Sequence, residues 1–263
     1  MLVLLKLGGS LITDKTRPYT ARLETLDDLA GQIAADVRSH PDLRLVLGHG
    51  SGSFGHTAAS RFDTRHGVKS ATDWKGFAEV WFQASALNRL VVEALRRADL
   101  PAITLSPAAS VTACDGKVTD WDLRPLHQAL SNGLLPVIHG DAIFDKARGG
   151  TILSTEELFI HLVPEFHPER ILLAGLEEAV WADFPARTRK LDELIPSDLA
   201  GQAGGLQGAS GLDVTGGMAS KVALMLELVD KNPALEVLIF SGEKPGNVRS
   251  ALEGGNPGTR LHR

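Results

Sequence analysis

Short apolar runs alternate along this chain with longer segments of helical periodicity, and this alternation constrains the fold more than any other feature. Runs that are apolar throughout are typical of strands covered on both faces of a sheet. The strand-like runs are Leu2–Leu7, Leu43–Leu47, Ala102–Leu105, Leu134–Ile138, Arg170–Leu173 and Leu235–Phe240. The helix-like segments are Leu23–Arg38, Trp74–Ala98, Leu123–Ser131, Thr155–Leu162, Met218–Lys231 and Val248–Leu252. The order predicts an α/β protein with an open, mainly parallel sheet sandwiched between helices.

Composition limits the class of protein. The chain has 263 residues, 43% of them apolar, which is enough to form a large core without disulfides. Cys114 is the only cysteine, which excludes an internal disulfide and favours a cytoplasmic location. No run approaches the roughly 20 apolar residues that span a bilayer, and the N-terminus does not resemble a secretory signal. A net charge of -5 argues against a nucleic-acid partner, so we expect neither nucleic acid nor membrane.

The chain shows no sign of a boundary between independent domains. It contains no repeat of fixed period and no linker, so we expect a single domain over residues 1–263. Ala200–Gly211 is rich in Gly, Ala and Gln, and this composition predicts a mobile surface loop.

Glycine is concentrated where the predicted strands end. Ligands of open α/β sheets bind outside the carboxyl ends of the strands. Consecutive N–H groups of a glycine loop at a helix N-terminus form a cradle for an anion. The segments concerned are Gly8-Gly9-Ser10, Gly48–Gly55, His139–Asp141, Gly216-Gly217 and Ser241–Asn247.

Lysines accompany two of these loops. Lys6 precedes and Lys15 follows the first loop, while Lys221 lies one turn into the helix behind Gly216-Gly217. Either glycine pair alone could be a tight turn, and any one lysine could be solvated. Three lysines placed alike favour phosphate binding, because a lysine beside an amide cradle is a point-charge ligand for phosphate.

The second loop matches a dinucleotide-binding pattern by chance. Gly50–Gly55 fits G-x-G-x-x-G, but the next predicted strand ends at Leu105-Ser106 without the acidic residue that binds the ribose. The chain also lacks the P-loop and protein-kinase signatures. We therefore favour an anion site of a different kind.

His56 directly follows the second loop, so its imidazole would lie beside any anion held there. A surface or helix-capping histidine is the alternative. The pairs Glu156-Glu157 and Asp141 with Asp145 could orient lysines or hold magnesium, and a solvated helix start is an alternative for the glutamates. Further histidines show no metal-ligand spacing, and we interpret them as structural: His49, His66, His127, His139, His161, His167 and His262.

Together these motifs resemble the amino-acid kinase superfamily and, within it, the isopentenyl phosphate kinases, over nearly the whole chain. The resemblance implies the αβα amino-acid kinase fold, a homodimer, and phosphorylation of isopentenyl phosphate to isopentenyl diphosphate with ATP and Mg²⁺. His56 separates these enzymes and the fosfomycin kinases from acetylglutamate, aspartate and uridylate kinases. The matching segments are Leu5–Ser10 with Asp14-Lys15, Gly52–His56, Pro136–Asp141, Asp213–Met218 with Lys221, and Pro245–Val248 followed by Gly258-Thr259.

The resemblance also implies roles for individual positions. Residues 1–168 would form the acceptor-binding half and residues 169–263 the nucleotide-binding half. The catalytic residues would be Lys15, which resembles the transition-state lysine, with His56 and Lys6. The acceptor would be bound by the amides of Gly50 and Gly55, with His56 and Thr155. ATP would be bound by Lys6, Gly8, Gly9, Ser10, Ser51, Gly217 and Lys221, and no protein ligand to the metal is implied.

Several positions depart from the family pattern. Ser51 replaces a usual glycine, Ser154–Glu157 replaces Ser-Gly-Asp-Asp, and Leu176 replaces an aspartate that would contact nucleotide. These departures leave two alternatives open. One is a kinase for another phosphate or phosphonate, such as fosfomycin or a longer prenyl phosphate; the other is a nucleotide-binding sensor without turnover.

The chemistry of the acceptor is consistent with the residues present. A phosphomonoester is already anionic at neutral pH and needs no general base, whereas its apolar tail needs a pocket. We expect that pocket along Trp74–Leu95, although core packing is the alternative for its large residues, which are Phe77, Trp81, Phe82 and Leu87.

Overall fold

A computed structural model describes residues 1–200 and 216–263. The strands are β1 (Leu2–Leu7), β2 (Arg44–His49), β3 (Ala102–Thr104), β4 (Val111–Cys114), β5 (Lys117–Trp121), β6 (Leu135–His139), β7 (Asp141–Asp145), β8 (Gly149–Leu153), β9 (Arg170–Gly175), β10 (Val180–Trp181), β11 (Lys190–Leu191), β12 (Glu193–Leu194), β13 (Glu236–Ser241) and β14 (Thr259–Leu261). The helices are α1 (Gly9–Ile12), α2 (Leu23–Ser39), α3 (Gly52–Phe62), α4 (Ala71–Arg97), α5 (Pro107–Ser110), α6 (Arg124–Ser131), α7 (Thr155–Phe166), α8 (Ser197–Ala200), α9 (Gly216–Lys231) and α10 (Asn247–Leu252).

Eight strands form one sheet in the order β12-β14-β13-β9-β1-β2-β6-β3. The neighbours from β13 to β3 pair in parallel, and β14 runs antiparallel to β13. Each predicted strand corresponds to a strand of this sheet. The prediction of a mainly parallel α/β fold is therefore confirmed, and strands from both predicted halves of the chain share the sheet.

Alternate residues of β1 explain why helices cover both faces of the sheet. Val3 and Leu5 pack into a core formed with α2, α4 and α10, whereas Leu2 and Leu4 pack into a second core formed with α7 and α9. Every residue of β1 is buried, as expected for a strand covered on both faces. The sheet is thus the middle layer of three, and its strand ends lie between the helical layers.

The sequence analysis missed several elements: the sheet β5-β4-β7-β8, the two-stranded sheet β10-β11, the strands β12 and β14, and the helices α1, α3, α5 and α8. The four-stranded sheet, called the second sheet below, has short and partly exposed strands, which lack the continuous apolar runs used for prediction. Helices α1, α5 and α8 have four residues each, and the longest missed helix, α3, begins inside the second glycine loop, where helix propensity is low. Helix α7 continues past its predicted end at Leu162 to Phe166, with Pro164 inside it.

Two predicted features lie outside the described residues. They are the loop Ala200–Gly211, apart from Ala200, and the Asp213–Thr215 part of the last glycine motif. Among the helices of residues 1–200 and 216–263, none is long and apolar enough to cross a membrane.

Candidate active site

A cleft of about 460 Å³ lies at the carboxyl ends of the central strands. It brings together most of the side chains and loops that the sequence singled out. The predicted residues that line it are Lys6, Gly8, Gly9, Ser10, Lys15, Gly50, Ser51, His56, Thr155 and Lys221. One predicted residue, Gly55, is not in this lining and lies within α3. Gly217 lies in the first turn of α9.

The two glycine loops touch each other through their backbones. A Cβ atom on Gly9 would lie 2.4 Å from the nitrogen of Gly52, and a Cβ atom on Gly50 would lie 2.8 Å from the nitrogen of Gly9. Side chains at these positions would force the loops apart. The close approach places the N-termini of α1 and α3 side by side at the cleft.

Three of the backbone N–H groups expected to bind phosphate are used inside the fold. Gly8 donates to the carbonyl of Ala174 (2.7 Å) and Gly50 donates to the carbonyl of Leu7 (3.0 Å). Gly55 donates to Ser51 at 3.1 Å, as an ordinary helical hydrogen bond. The N–H groups of Gly50 and Gly55 are thus already bonded within the protein, because one extends the sheet ladder and the other closes the first turn of α3.

Other N–H groups of the same loops are open. In the described part of the chain, four amides at these two helix starts have no protein acceptor: those of Gly9, Ser10, Ser51 and Gly52. Unpaired N–H groups at adjacent helix N-termini favour a bound anion through both hydrogen bonding and the helix dipoles. This loop pair therefore offers a cradle whose donors differ in part from the expected set.

Two lysines face each other across a buried carboxylate. The Nζ atom of Lys6 contacts Glu156, and the Nζ atom of Lys221 lies 3.7 Å from the other oxygen of that carboxylate. Burial lowers the pKa of Lys6, and the charge of Lys221 adds to this effect, while Glu156 opposes it. Burial alone would raise the pKa of Glu156, but the two lysines hold it below its usual value. The cluster carries a net positive charge next to the amide cradle.

Helix α7 places Glu156 by means of its N-terminal cap. Ser154 and Glu157 form a reciprocal capping box, and the Thr155 hydroxyl donates to the carbonyl of His49 at 2.6 Å. The next side chain in the first turn, Glu156, then points into the cleft. The two glutamates have different roles. Glu156 contacts the lysines, which was one of the possibilities that the sequence left open for this pair. Glu157 caps the helix and pairs with Arg65.

The pair Asp141 and Asp145 has a structural role. Asp145 accepts hydrogen bonds from backbone N–H groups of the neighbouring turns, including Gly116 at 2.7 Å. Asp141 is fully buried and accepts from the N–H groups of Ala108 and Ala142. Burial raises the pKa of Asp141 to about 6. Neither carboxylate lines the cleft.

Lys15 lies on an exposed turn that is held by hydrogen bonds on both sides of the lysine. Asp14 accepts from the N–H and hydroxyl of Thr16 and from Arg17, and these hydrogen bonds lower its pKa to about 2. At the base of the turn, the Thr13 hydroxyl donates to the carbonyl of Gly9 and accepts from the N–H of Ser53. These hydrogen bonds fix the backbone on both sides of Lys15, which lines the cleft.

His56 faces this positive region from α3. Partial burial lowers its pKa, and the charges of Lys15 and Lys6 lower it further. The ring is therefore neutral at pH 7 in the absence of ligand. A phosphate dianion beside it would favour the protonated form.

An apolar cluster lies behind one wall of the cleft. Ile152 lines the cleft and packs against Phe77 and its buried neighbours Ala58, Val68, Val80 and Ala142. Of the aromatic and leucine side chains considered for the tail pocket, only Phe77 joins this cluster. Leu87 belongs to the main core, and Trp81 and Phe82 are 44% and 58% exposed.

Two residues that line the cleft were not among the site residues predicted from the sequence. Arg65 reaches the cleft from the 3₁₀ turn Thr64–His66 and donates to the carbonyl of Ile152. Glu177 lines the cleft beside Leu176 and pairs with Arg187 at 2.6 Å. Arg65 could not be found from the sequence because its loop reaches the site only through the second sheet.

The sequence also matches known families. Residues 1–241 match the profile of the amino acid kinase family. The chain therefore belongs to the amino acid kinase family. Within it, the chain is 30% identical to the isopentenyl phosphate kinase of Methanocaldococcus jannaschii over 99% of its own length and 98% of that protein. It is 34% identical to the isopentenyl phosphate kinase of Haloferax volcanii, covering 94% and 98% of the two chains. It accordingly belongs with the isopentenyl phosphate kinases.

Solved structures agree with this placement. An X-ray structure of an isopentenyl phosphate kinase superposes with a TM-score of 0.83 and 29% identity, covering 99% of this chain and 100% of that one. A product complex of the isopentenyl phosphate kinase of T. acidophilum has a TM-score of 0.80 at 21% identity, covering both chains fully, and shows the shared fold. The expected amino-acid kinase architecture is confirmed.

Proposed function

We propose that this protein transfers the γ-phosphoryl group of ATP to isopentenyl phosphate, yielding isopentenyl diphosphate and ADP. The observation that carries the proposal is the convergence of four open N–H groups and three lysines, Lys6, Lys15 and Lys221, on one cleft with an apolar wall. Phosphoryl transfer requires positioning and neutralisation of charge, and these groups supply both.

The reaction is a direct displacement in the cleft. An oxygen of the acceptor phosphate bonds to the γ-phosphorus while the bond from that phosphorus to the β–γ bridging oxygen breaks, and ADP leaves with the negative charge. The acceptor phosphate is already an anion at neutral pH, so no general base is required. Lys15 would neutralise the moving group, and Lys6 and Lys221 would hold the phosphates of ATP.

The acceptor would bind between His56 and the apolar wall. His56 would donate a hydrogen bond to its phosphate, and the prenyl tail would pack on Ile152, behind which lies the buried cluster that contains Phe77. Leu176 lies on the cleft wall after β9, where the family pattern has an aspartate. Because phosphate contacts come from other elements, we propose that this replacement alters nucleoside recognition and leaves transfer intact.

We also propose Mg²⁺ as the ion that accompanies ATP. Among the described residues, no cluster of three or more His, Cys, Asp or Glu is placed to hold a metal. Two carboxylates line the described part of the cleft, Glu156 and Glu177, and both are occupied by basic side chains. We therefore propose that substrate phosphate oxygens and water would hold the ion, which would neutralise phosphate charge.

We propose, finally, a cytoplasmic homodimer. Strand β3 lies at the edge of the main sheet with Ile103 40% exposed, a surface that a second copy could cover. Cys114 is a free thiol, which fits a reducing compartment. Light scattering of the wild type and of Ile103→Lys tests the dimer, since a charge at this edge should favour the monomer.

A coupled assay of ADP formation with Mg²⁺ tests the function. The acceptors are isopentenyl, dimethylallyl and geranyl phosphate, fosfomycin, acetylglutamate and UMP. The highest kcat/KM is expected on isopentenyl phosphate and should fall sharply in Lys15→Ala. Lys190→Ala is the matched control, because that lysine pairs with Asp192 outside the cleft. Tight ATP binding without turnover on any acceptor would instead identify a nucleotide sensor.

A further inference from the structure

A buried histidine lies directly beneath the second glycine loop. His49 is the last residue of β2 and is fully buried, with its ring stacked on that of His139 at 5.3 Å. Its Nδ1 atom lies 3.1 Å from the carbonyl oxygen of Gly50, and its Nε2 atom lies 3.1 Å from the side-chain oxygen (Oδ1) of Asn88. Asn88 in turn contacts the Thr104 hydroxyl at 2.8 Å. The ring is therefore held from both ends.

The neighbours of the ring determine which nitrogen carries a proton. A carbonyl oxygen can only accept, so Nδ1 of His49 must carry the hydrogen that meets Gly50. Nε2 of the neutral ring is then an acceptor, which requires a half-turn of the Asn88 amide so that its NH₂ group, in place of its oxygen, meets Nε2. The Asn88 oxygen would then accept from the Thr104 hydroxyl, which can donate as well as accept. Burial lowers the pKa of His49, which favours the neutral ring. The Gly50 carbonyl is thus fixed toward the protein interior.

The opposite end of the same peptide group faces the cleft. The peptide between Gly50 and Ser51 is trans, so its N–H points away from its carbonyl. With the Gly50 carbonyl held inward by His49, the N–H of Ser51 is directed outward, where it has no acceptor among the described residues. Ser51 also lines the cleft.

We propose that His49 is a positioning residue, which turns the Ser51 N–H into the cleft as a donor to the transferred phosphoryl group. This inference rests on the proposed function. Without the hydrogen bond from His49, the peptide is free to rotate, and the cradle loses a preorganised donor. Loss of one such donor typically lowers kcat by about 100- to 1000-fold in other enzymes, and partial retention of the peptide orientation would reduce the effect.

Two substitutions at one position separate positioning from packing. His49→Asn keeps an N–H near the place of Nδ1, whereas His49→Leu fills the space without a donor. Both lose the stacking on His139, so they are matched for that contact. We expect kcat about 10- to 100-fold lower for His49→Leu with both KM values changed much less, and near wild-type kcat for His49→Asn. If His49→Leu does not fold, Asn88→Leu takes its place in the experiment. This variant removes only the contact at Nε2 of His49, so we expect a smaller loss of kcat.

The amide resonance of Ser51 gives a readout that does not depend on turnover. The probes are AMP-PNP, a non-hydrolysable ATP analogue with a γ-phosphoryl group, and isopentenyl diphosphate, which carries the transferred group. In ¹H–¹⁵N spectra, the Ser51 resonance should shift when either is added to the wild type or to His49→Asn, and should respond weakly in His49→Leu. Equal losses of kcat and thermal stability in both variants would overturn the proposal, as would a Ser51 resonance that responds to neither ligand. Failure of the wild type on every acceptor would refute the proposed function, while the response to AMP-PNP would still decide the role of His49.

Discussion

Replacing Glu156 by glutamine tests the charge balance of the cleft. The substitution preserves shape but removes the one carboxylate that, among the described residues, pairs with Lys6, a lysine that is 9% exposed. At an effective dielectric constant of 20, the attraction between Glu156 and Lys221 across 3.7 Å is about 4 kcal/mol. Removing one partner of a buried pair typically costs about 3 to 5 kcal/mol, because the other charge remains without compensation. We expect a loss of that size in the free energy of unfolding.

Urea denaturation at several pH values measures this effect. The pKa of Lys6 is already lowered by burial and would fall further without Glu156. A depressed lysine pKa makes the folded state gain stability as pH rises, because the unfolded chain binds more protons. The deficit of Glu156→Gln relative to the wild type should therefore be largest near pH 7 and shrink toward pH 10. ADP should stabilise the variant strongly, since phosphate charge compensates both lysines.

The control is Glu227→Gln, which breaks an exposed pair with Lys231 on α9. Exposed pairs contribute about 0 to 1 kcal/mol, so this variant should unfold almost like the wild type. A loss below about 1 kcal/mol for Glu156→Gln, or a deficit that does not change with pH, would refute the view that this carboxylate balances the buried lysine.

Three further predictions concern single residues. Lys15→Ala should lower kcat by about 100-fold or more with little change in either KM, and a pure KM effect would contradict its role in the transition state. In the wild type, acceptor binding should strengthen as pH falls from 8 toward 6, because the His56 ring becomes protonated; its pKa is lowered by burial and by Lys15 and Lys6. His56→Gln should remove this pH dependence, and an unchanged pH profile of the acceptor KM would exclude the contact. Asp141→Asn should stabilise the fold by up to about 3 kcal/mol at pH 8 and little at pH 4, because stability from a carboxyl whose pKa is raised to about 6 is lost as pH rises through that value. Urea unfolding at the two pH values checks this, and an equal effect at both would contradict it.

Much of the fold could be predicted because β1 and its neighbours are buried on both faces. Such strands are continuous apolar runs, and the sequence shows them directly. The strands β4, β5, β7 and β8 form a partly exposed sheet, and their short alternating segments give no comparable signal. The second sheet carries Ile152 and supports Arg65, so this part of the cleft wall was not predicted, whereas the tail pocket expected along α4 stays a prediction.

Which residues line the cleft could be predicted more fully than which of their atoms are free to bind a ligand. Glycines and lysines at strand ends point to a phosphate site wherever parallel strands end together, so Lys6, Lys15 and Lys221 were found. Which N–H groups remain open depends on hydrogen bonds between distant segments, such as Gly50 to Leu7. The task of Glu156 was one of several possibilities, because its contact with Lys6 joins α7 to β1 across 150 residues of sequence.

The site combines uncharged backbone donors with lysines whose repulsion is offset by Glu156. This combination accounts both for the stability of the site without ligand and for its readiness to bind phosphates. Backbone amides carry no net charge, so the donors of Gly9, Ser10, Ser51 and Gly52 add no repulsion when the cleft is empty of ligand. The lysines would repel one another, and Glu156 offsets that repulsion between Lys6 and Lys221. When phosphates bind, they enter a site whose donors are already oriented, so little reorganisation is required. Leu176 lies on the cleft wall and is not one of these groups, so we expect its replacement of aspartate to leave transfer intact.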